Sequence, residues 1–390
     1  MTIYLDHSSF SRPSEQAVSA MIPYFRDLWG SITSPNLISQ QFIPHLNEAY
    51  HEIYQLLGGG TSDTFIFTSS GAEAVNHAIF ATYLDATLET GRNQYITLPI
   101  ENAPTIMSIE RLEKWGCVGK TVPLDSQGYV SADQLGDVIT PRTALFSMTW
   151  AHGLTGLIQP INEVSDLCKE RGIRFHLDVT HALGKLYFDL EDLGAEILTF
   201  NGSQLHAPQG TGGLFFREGT QLSPWITGGL EQGGWRAGDL NIPLLIGLGV
   251  AVKEALQTRD YLCTEIARLR DFLEEEVSLV CSESVPLFKD RERLPNVSVI
   301  AFPGIASEAL LYTLNHEGLS AGIGGGETQQ LQHLLKASGI PSQLAQTALS
   351  FSLSRETTQE EIERAIEIIS QSVKQLRTLS SHLNISGGDT

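Results

Sequence analysis

The chain has 390 residues, of which 42% are hydrophobic, and this is enough to bury the cores of one large and one smaller domain. Its formal net charge of −20 repels phosphate backbones and anionic lipids, so we expect no nucleic-acid partner and no membrane association. The widely spaced cysteines indicate neither a disulfide framework nor a metal site and fit a cytoplasmic location; they are Cys117, Cys168, Cys263 and Cys281.

Strand-like and helical patterns alternate along the chain, which predicts an α/β fold with a largely parallel sheet. Short apolar runs predict strands at 64–70, 93–99, 143–150, 173–179 and 197–200, with a hairpin strand at 212–218. The apolar spacing of GAEAVNHAIFATYLDA after the first of these strands predicts a helix. A second helix is predicted at 161–172, with Gly172 as its C-cap.

The pattern changes after about residue 255. The apolar run at 242–256 contains Pro243 and Lys253, so it predicts a buried helix and not a membrane span. Charged helices are predicted at 259–280 and 357–379, the latter with Thr357 or Thr358 as N-cap, around a strand at 295–302 and a helix at 308–318. We therefore predict a large domain at 14–255 and a smaller α+β domain formed by 1–13 and 256–390.

Eight stretches carry most of the functional information. They are YLDHSS (4–9), FTSSGAEAVNHAI (67–79), IEN (100–102), AHGLTGLIQPI (151–161), FHLDVTHALGKLYFDL (175–190), NGSQLHAPQGTGGLFFR (201–217), GGLEQGGWRAGDLNIP (228–243) and LSFSLSRETTQEEI (349–362). In this order and at this spacing they resemble the cysteine desulfurases, the NifS/IscS-like branch of the class V aminotransferases. The resemblance implies the fold type I architecture of enzymes that use pyridoxal phosphate (PLP), with a mostly parallel seven-stranded sheet in the large domain and a smaller α+β domain.

Part of the family's cofactor site is retained. By the resemblance, Asp178 matches the carboxylate that binds the pyridinium nitrogen, and Arg355 matches the arginine that binds the substrate carboxylate. Ser70, Gly71 and Ala72 form the turn before a helix where the family binds the cofactor phosphate. Ala72 stands where the family usually has threonine, so one hydroxyl donor is missing.

The residues that carry the chemistry are replaced. The family reads Ser-x-His-Lys where this chain reads Asn201-Gly202-Ser203-Gln204, so Gln204 occupies the position of the imine-forming lysine. An amide nitrogen is not nucleophilic, and it cannot form an imine. The stacking histidine of the family falls at Asn102, and the sulfur-accepting cysteine falls at about Glu327.

Three further contacts of the cofactor differ. The asparagine and the glutamine beside the ring's phenolic oxygen fall at Gly153 and His181, and a threonine that reaches the phosphate across the dimer falls at Asp239. A carboxylate at that last position repels a phosphate dianion. We therefore expect no covalently bound cofactor and only weak binding of PLP or pyridoxamine phosphate (PMP).

These losses favour a pseudoenzyme that forms a homodimer, or a heterodimer with an active paralogue, and acts as a partner or regulator in sulfur or iron–sulfur cluster metabolism, where it binds scaffold proteins. One alternative is an enzyme of altered chemistry that holds PLP or PMP without an imine and uses His181 and His206 as bases. A second is an active cysteine desulfurase, and a third is a small-molecule sensor whose polar cleft is lined by Asn102, His181, Ser203 and Gln204.

Overall fold

A computed structural model describes residues 2–325 and 329–386. The strands are β1 (Ile3–Tyr4), β2 (Thr64–Thr68), β3 (Gln94–Thr97), β4 (Val118–Thr121), β5 (Thr143–Thr149), β6 (Arg174–Asp178), β7 (Ile197–Asn201), β8 (Gly212–Phe216), β9 (Val285–Leu287), β10 (Val297–Ala301), β11 (Leu319–Ser320), β12 (Gly324–Gly325), β13 (Gln329–Gln330) and β14 (Ala348–Ser352).

The helices are α1 (Glu15–Met21), α2 (Pro23–Arg26), α3 (Leu37–Gln40), α4 (Ile43–Leu57), α5 (Gly71–Thr82), α6 (Leu88–Thr90), α7 (Ala103–Glu113), α8 (Ala132–Val138), α9 (Asn162–Arg171), α10 (Leu190–Leu193), α11 (Ile242–Tyr261), α12 (Ala267–Val280), α13 (Ser307–His316), α14 (Leu331–Ala337), α15 (Ser342–Ala345) and α16 (Gln359–Ser386). Short 3-10 turns cover 202–205 and 231–234, and π-helical turns cover 83–87 and 262–266.

The central sheet has the strand order β2-β8-β7-β6-β5-β3-β4. Strands β3 to β7 run parallel, and β8 pairs antiparallel with both β2 and β7. The inner strands are almost entirely buried, and β5 is buried along its whole length, as its mainly apolar and uncharged sequence TALFSMT allows. The predicted α/β class, with a mostly parallel seven-stranded sheet, is therefore confirmed.

Two helix ends follow the predicted caps. Helix α9 ends at Gly172, whose φ of 60° places it in the left-handed region that suits glycine. At the start of α16, Thr358 Oγ1 accepts from the Glu361 backbone N–H at 3.2 Å, while Glu361 Oε2 accepts from the Thr358 N–H at 3.0 Å. Each residue satisfies a backbone donor of the other, which is a capping box.

The helices predicted at 242–256 and 259–280 form one continuous helical run from Ile242 to Val280, in which α11 and α12 are joined by the π-helical turn. No proline or glycine interrupts the sequence at the junction, so the helix has no reason to end there. The predicted domain boundary at residue 255 falls inside this run, and the division into domains stays a prediction.

The C-terminal part builds a second, antiparallel sheet of order β14-β10-β9, covered by α12, α13 and α16. The N-terminal segment joins it, because β1 pairs parallel with β11 and His7 N–H donates to Ser352 O at 3.2 Å. Residues 7–9 thereby lie between the two sheets. Within the described ranges, no helix combines the length and the apolar composition that a membrane span needs.

Candidate functional site

A cleft opens at the carboxyl ends of β5, β6 and β7, opposite the N-terminus of α5. Loops at this edge of a parallel sheet are where α/β folds place their ligands. Most of the predicted site residues line it together, namely Ser70, Gly71, Ala72, Asn102, Gly153, Asp178, His181, Asn201 and Gln204. The sequence therefore identified the cleft, and what each residue does there follows from its contacts.

Gln204 lies in the 3-10 turn after β7 and is buried, with 6% of its surface exposed. Its amide nitrogen Nε2 donates to His7 O at 3.1 Å and to Ser8 O at 2.9 Å. Its side chain also forms a hydrogen bond with His181. The glutamine thus ties the N-terminal segment to the floor of the cleft, and both hydrogens of its amide have acceptors.

Asp178 ends β6 and points a buried carboxyl group into the cleft. Oδ1 accepts from the Thr180 backbone N–H at 2.9 Å, and Oδ2 accepts weakly from Asn102 Nδ2 at 3.4 Å. Burial raises the pKa of this carboxyl, and the hydrogen bonds from Thr180 and Asn102 partly offset that shift. Asp178 therefore faces the cleft with neutral partners.

His181 occupies the space beside Gly153. A Cβ on Gly153 would lie 2.3 Å from His181 Cε1, a separation that the two groups could not tolerate. Burial lowers the pKa of the His181 imidazole well below its usual range, with smaller effects in the same direction from Lys185 and His152. Gly153 and His181 therefore form a matched pair, in which a neutral histidine ring fills the room that the glycine leaves.

The N-terminus of α5 forms one end of the cleft. Ser70 is its N-cap and accepts from the Glu73 N–H at 3.1 Å. The Glu73 carboxylate accepts from the Ser69 N–H at 2.8 Å and from Arg236 Nε at 2.9 Å. Among the described residues that line the cleft there is neither lysine nor arginine. The helix end thus presents backbone N–H groups beside a carboxylate that is paired with an arginine.

Three predicted site residues do not line this cleft. Arg355 borders a separate small cavity behind Gln204, where its Nη2 pairs with Glu254 Oε2 at 2.8 Å. Asp239 lies beside Gly30, Ser31 and Leu240 at another surface pocket. Ser203 is buried, and its Oγ has no hydrogen-bond partner within the described chain. Glu327, the predicted position of the sulfur acceptor, lies outside the described residues.

The cavity behind Gln204 also contains residues whose roles the sequence did not specify. Lys185 is buried there, and its Nζ donates to His181 O at 3.2 Å. Burial lowers the pKa of this ammonium group to about 8. His206, a candidate base in the sequence, borders this cavity instead of the cleft, and its Nδ1 hydrogen-bonds Arg12 O at 2.9 Å. Within the described residues, no group of acidic, histidine and cysteine side chains is arranged to hold a metal ion.

Sequence reasoning gave no role to Ser8 and Ser9, which line the cleft from the N-terminal segment. The motif YLDHSS pointed to this segment, but nothing in it indicates that its backbone carbonyls accept from a side chain about 200 residues away. His152 also lines the cleft; its Nδ1 accepts from the Leu154 N–H at 3.2 Å, and its buried Nε2 has no partner in the described chain. Burial lowers the pKa of His152 to about 4.

Comparison with known proteins gives concordant results. The family profile described as "Aminotransferase class-V" matches residues 3–365. The chain is 34% identical to the cysteine desulfurase NifS of Azotobacter vinelandii over 388 residues, covering 99% of this chain and 96% of that protein. It is 33% identical to a cysteine desulfurase of Bradyrhizobium diazoefficiens over 381 residues, covering 97% of this chain and 96% of that protein.

Solved structures resemble the fold closely. A NifS-like protein superimposes with a TM-score of 0.89 at 26% identity, over 96% of this chain and 100% of the other. A NifS-like protein from Rickettsia africae superimposes with a TM-score of 0.83 at 22% identity, over 96% of this chain and 100% of the other. The second likeness concerns the fold alone.

Proposed function

Because the chain belongs to the class V aminotransferase family and is cysteine desulfurase-like over nearly its whole length, we propose that it is a non-catalytic member of this PLP-dependent family. In this proposal the protein keeps the fold and the cleft but does not release sulfur from cysteine through an imine. It acts as a binding partner or regulator. The support comes from the side chains in the cleft and from the surface beside it.

The observation that carries the proposal is the bonding of Gln204. An imine requires a nucleophilic amine at this position, and the amide nitrogen is not one. The same nitrogen is already committed to two backbone carbonyls, His7 O and Ser8 O. The side chain thus has a structural task, since its two donated hydrogen bonds hold the N-terminal segment against the cleft.

The described residues of the cleft do not fit PLP as the family holds it. A phosphate dianion is best stabilised by cationic or hydroxyl donors in addition to a helix N-terminus. Here Ala72 supplies a methyl group, the described residues that line the cleft include no lysine or arginine, and the Asp178 carboxyl group faces the cleft. For these reasons we include the absence of a covalent cofactor in the proposal.

The partner in this proposal is a second copy of the chain or an active paralogue. A role in sulfur metabolism is suggested by the name cysteine desulfurase that the relatives carry, and we extend it to iron–sulfur metabolism as part of the proposal. A groove beside the cleft supports a protein partner. It is lined by Met107, Trp115 and Trp225, whose surfaces are 63%, 44% and 38% exposed. Exposed aromatic and methionine side chains that gather in one place are typical of interaction sites.

The test is reductive trapping. The full chain is incubated with PLP, reduced with borohydride, digested and analysed by mass spectrometry, in parallel with an assay of sulfide release from cysteine. We expect no PLP adduct on any residue of the cleft and no sulfide above background. Gln204→Lys should introduce an adduct at position 204, because its amine lies in the cleft, whereas Gln209→Lys is a matched control on an exposed neighbour that should not give one there.

A stoichiometric adduct on the unaltered chain, for example at Lys185, or cysteine-dependent sulfide release would overturn the proposal. The second candidate is a B6-dependent enzyme that holds its cofactor non-covalently. The position of Asp178 in the cleft favours it, since a carboxylate on the ring nitrogen is what activates the cofactor. Retention of PLP absorbance through dialysis, with no adduct after reduction, would point to this candidate.

A further inference from the structure

The groove beside the cleft is built from one face of a helix and one loop. Met107, Arg111 and Trp115 follow one another at intervals of four residues, so they lie along the same face of α7 and of the turn that ends it. Phe80 of α5 is buried and contacts both tryptophans, with its ring centroid 5.5 Å from that of Trp115 and 4.3 Å from that of Trp225. One aromatic surface is thus continuous from α7 to the loop.

The loop that carries Trp225 is anchored on both sides of this residue. Two residues before it, the Ser223 N–H donates to the buried carboxylate of Asp85 at 3.0 Å. Seven residues after it, the Gln232 amide accepts from the Phe67 N–H at 2.7 Å and donates to Phe67 O at 2.9 Å, on the outer edge of β2. A partner therefore meets an ordered ring, and little entropy is lost in fixing it.

The groove has a positive charge at its rim. Among the described residues that line it, Arg111 is the one charged side chain, and there is no acid. The Arg111 guanidinium lies 5.8 Å from the ring centroid of Trp115, and in the described part of the chain it has neither a hydrogen bond nor an ion pair. Arg236, in contrast, is paired with Glu73. An arginine fork without a carboxylate, next to exposed aromatic rings, is complementary to an aromatic group that has a carboxylate beside it.

We infer that the groove binds a segment of a partner protein in which an aromatic side chain has aspartate or glutamate next to it. The ring packs on the tryptophans, and the carboxylate accepts from Arg111. Aromatic and arginine side chains are the anchors that protein interfaces favour. The net charge of −20 repels such a segment at long range, but salt at about 0.15 M screens charges beyond about 8 Å, so Arg111 is the charge that the segment meets. This inference rests on the proposed function in one respect, that a protein partner occupies this surface.

The test uses three capped tripeptides, Asp-Phe-Asp, Asn-Phe-Asn and Asp-Ala-Asp, titrated into the full chain. A carboxylate on each side of the ring allows one of them to reach Arg111 in either direction of the peptide. Tryptophan fluorescence reports binding, because the peptides contain no tryptophan and two of the five tryptophans of the chain line the groove. We expect Asp-Phe-Asp to bind about threefold to fivefold more tightly than Asn-Phe-Asn, as for an exposed ion pair, and at least about tenfold more tightly than Asp-Ala-Asp.

Substitutions at exposed positions separate the charge from the apolar surface without disturbing the core. Arg111→Met should abolish the preference for Asp-Phe-Asp over Asn-Phe-Asn, and Arg111→Lys should keep part of it. The matched control is Arg142→Met, since Arg142 is also exposed and has no ion pair in the described chain, but precedes β5 and does not line the groove. Met107→Ala should weaken both phenylalanine peptides, whereas Leu88→Ala, at a residue of α6 that is 62% exposed, should weaken neither.

The inference is overturned if Asp-Phe-Asp and Asn-Phe-Asn bind equally, if no peptide binds, or if Arg111→Met keeps the preference. Tighter binding of 3-phenylpropionate than of Asp-Phe-Asp would assign the groove to a small molecule. Peptide binding that weakens as the chain self-associates would assign it to a second copy, and either of these results also overturns the inference. The titrations contain no cofactor, so an imine trapped by borohydride would overturn the proposed lack of catalysis and leave the peptide result standing.

Discussion

Gly153 and His181 show how the side chains at two positions of a site depend on each other. The glycine has no Cβ, and the imidazole takes the volume that a side chain at 153 would need. Either change alone is unfavourable: a side chain at 153 meets the ring, and removal of the ring leaves a hole. At the scale of single residues, the two positions are therefore packed against each other.

The pair makes a prediction for a double-mutant cycle. Gly153→Ala alone should lower the free energy of unfolding by about 1–3 kcal/mol, because the new methyl group overpacks against His181. In the presence of His181→Ala the same methyl group has room, so the two effects should differ from additivity by at least about 1 kcal/mol. Chemical denaturation of the four variants measures this coupling. Strict additivity would show that the ring moves aside without cost.

At this scale the sequence predicted which residues meet, but not what they do. Asp178 was placed correctly because strand ends of a parallel sheet share one edge. Arg355 was expected to bind a substrate carboxylate, yet it pairs with Glu254, which is 101 positions away and gives no signal in the local pattern. Gln204 was predicted to stand at the position of the family's lysine, which stays a prediction, whereas its bonds to the carbonyls of residues 7 and 8 depend on a contact across the whole fold.

Helices α5 and α7 and the loop that carries Trp225 form the exposed groove beside the cleft. Trp225 stacks on Phe80 of α5, with ring centroids 4.3 Å apart, and Arg111 of α7 lies over Trp115 at 5.8 Å. These contacts hold the aromatic rings in fixed positions, which lowers the entropy that a partner must overcome. The groove is thus a preformed surface and not a group of mobile side chains.

If the chain self-associates through this groove, Trp225→Glu should raise the dimer dissociation constant by at least about 30-fold, as expected for a central aromatic contact. Tyr312→Glu is the matched control, since Tyr312 is 76% exposed on α13 of the C-terminal part. Analytical ultracentrifugation over a concentration series measures both. A Trp225→Glu variant that dimerises like the unaltered chain would rule out the groove as the contact.

The predicted ends of helices agree with the structure where a turn residue marks them. They disagree where no such residue is present. Gly172 ends α9 as predicted, because its positive φ suits glycine. Between α11 and α12 the sequence changes from apolar to charged without a breaker, so composition suggested two helices where the backbone continues as one. Where a helix passes from a buried to an exposed environment, its composition changes from apolar to charged, but its backbone can continue as a helix.

Several histidines are buried and neutral in the folded molecule. Burial lowers the pKa of His7 and His152 to about 4 and of His176 and His206 to about 3. Their usual pKa is about 6.5 in an unfolded chain. Between these values the unfolded chain binds more protons than the folded one, so stability must fall as the pH falls.

We therefore expect the free energy of unfolding to decrease steeply between about pH 6.5 and pH 4.5, by roughly 1.4 kcal/mol per pH unit for each of these histidines. Urea denaturation at a series of pH values measures the slope. His206→Asn keeps a donor for Arg12 O and removes one titrating group. It should therefore reduce the slope by about 1.4 kcal/mol per pH unit. A His206→Asn variant with the same slope as the unaltered chain would contradict the neutral state of His206.

The pairing of β1 with β11, and of His7 with Ser352, has a consequence for the order of events during synthesis. Residues 3–7 find these partners only after more than 300 later residues have been translated. The central sheet can form in the meantime, since its strands lie between residues 64 and 216. The rim of the cleft, and with it the Gln204 tie, can be completed only after translation of the C-terminal part, so a nascent chain exposes an open cleft until nearly the end.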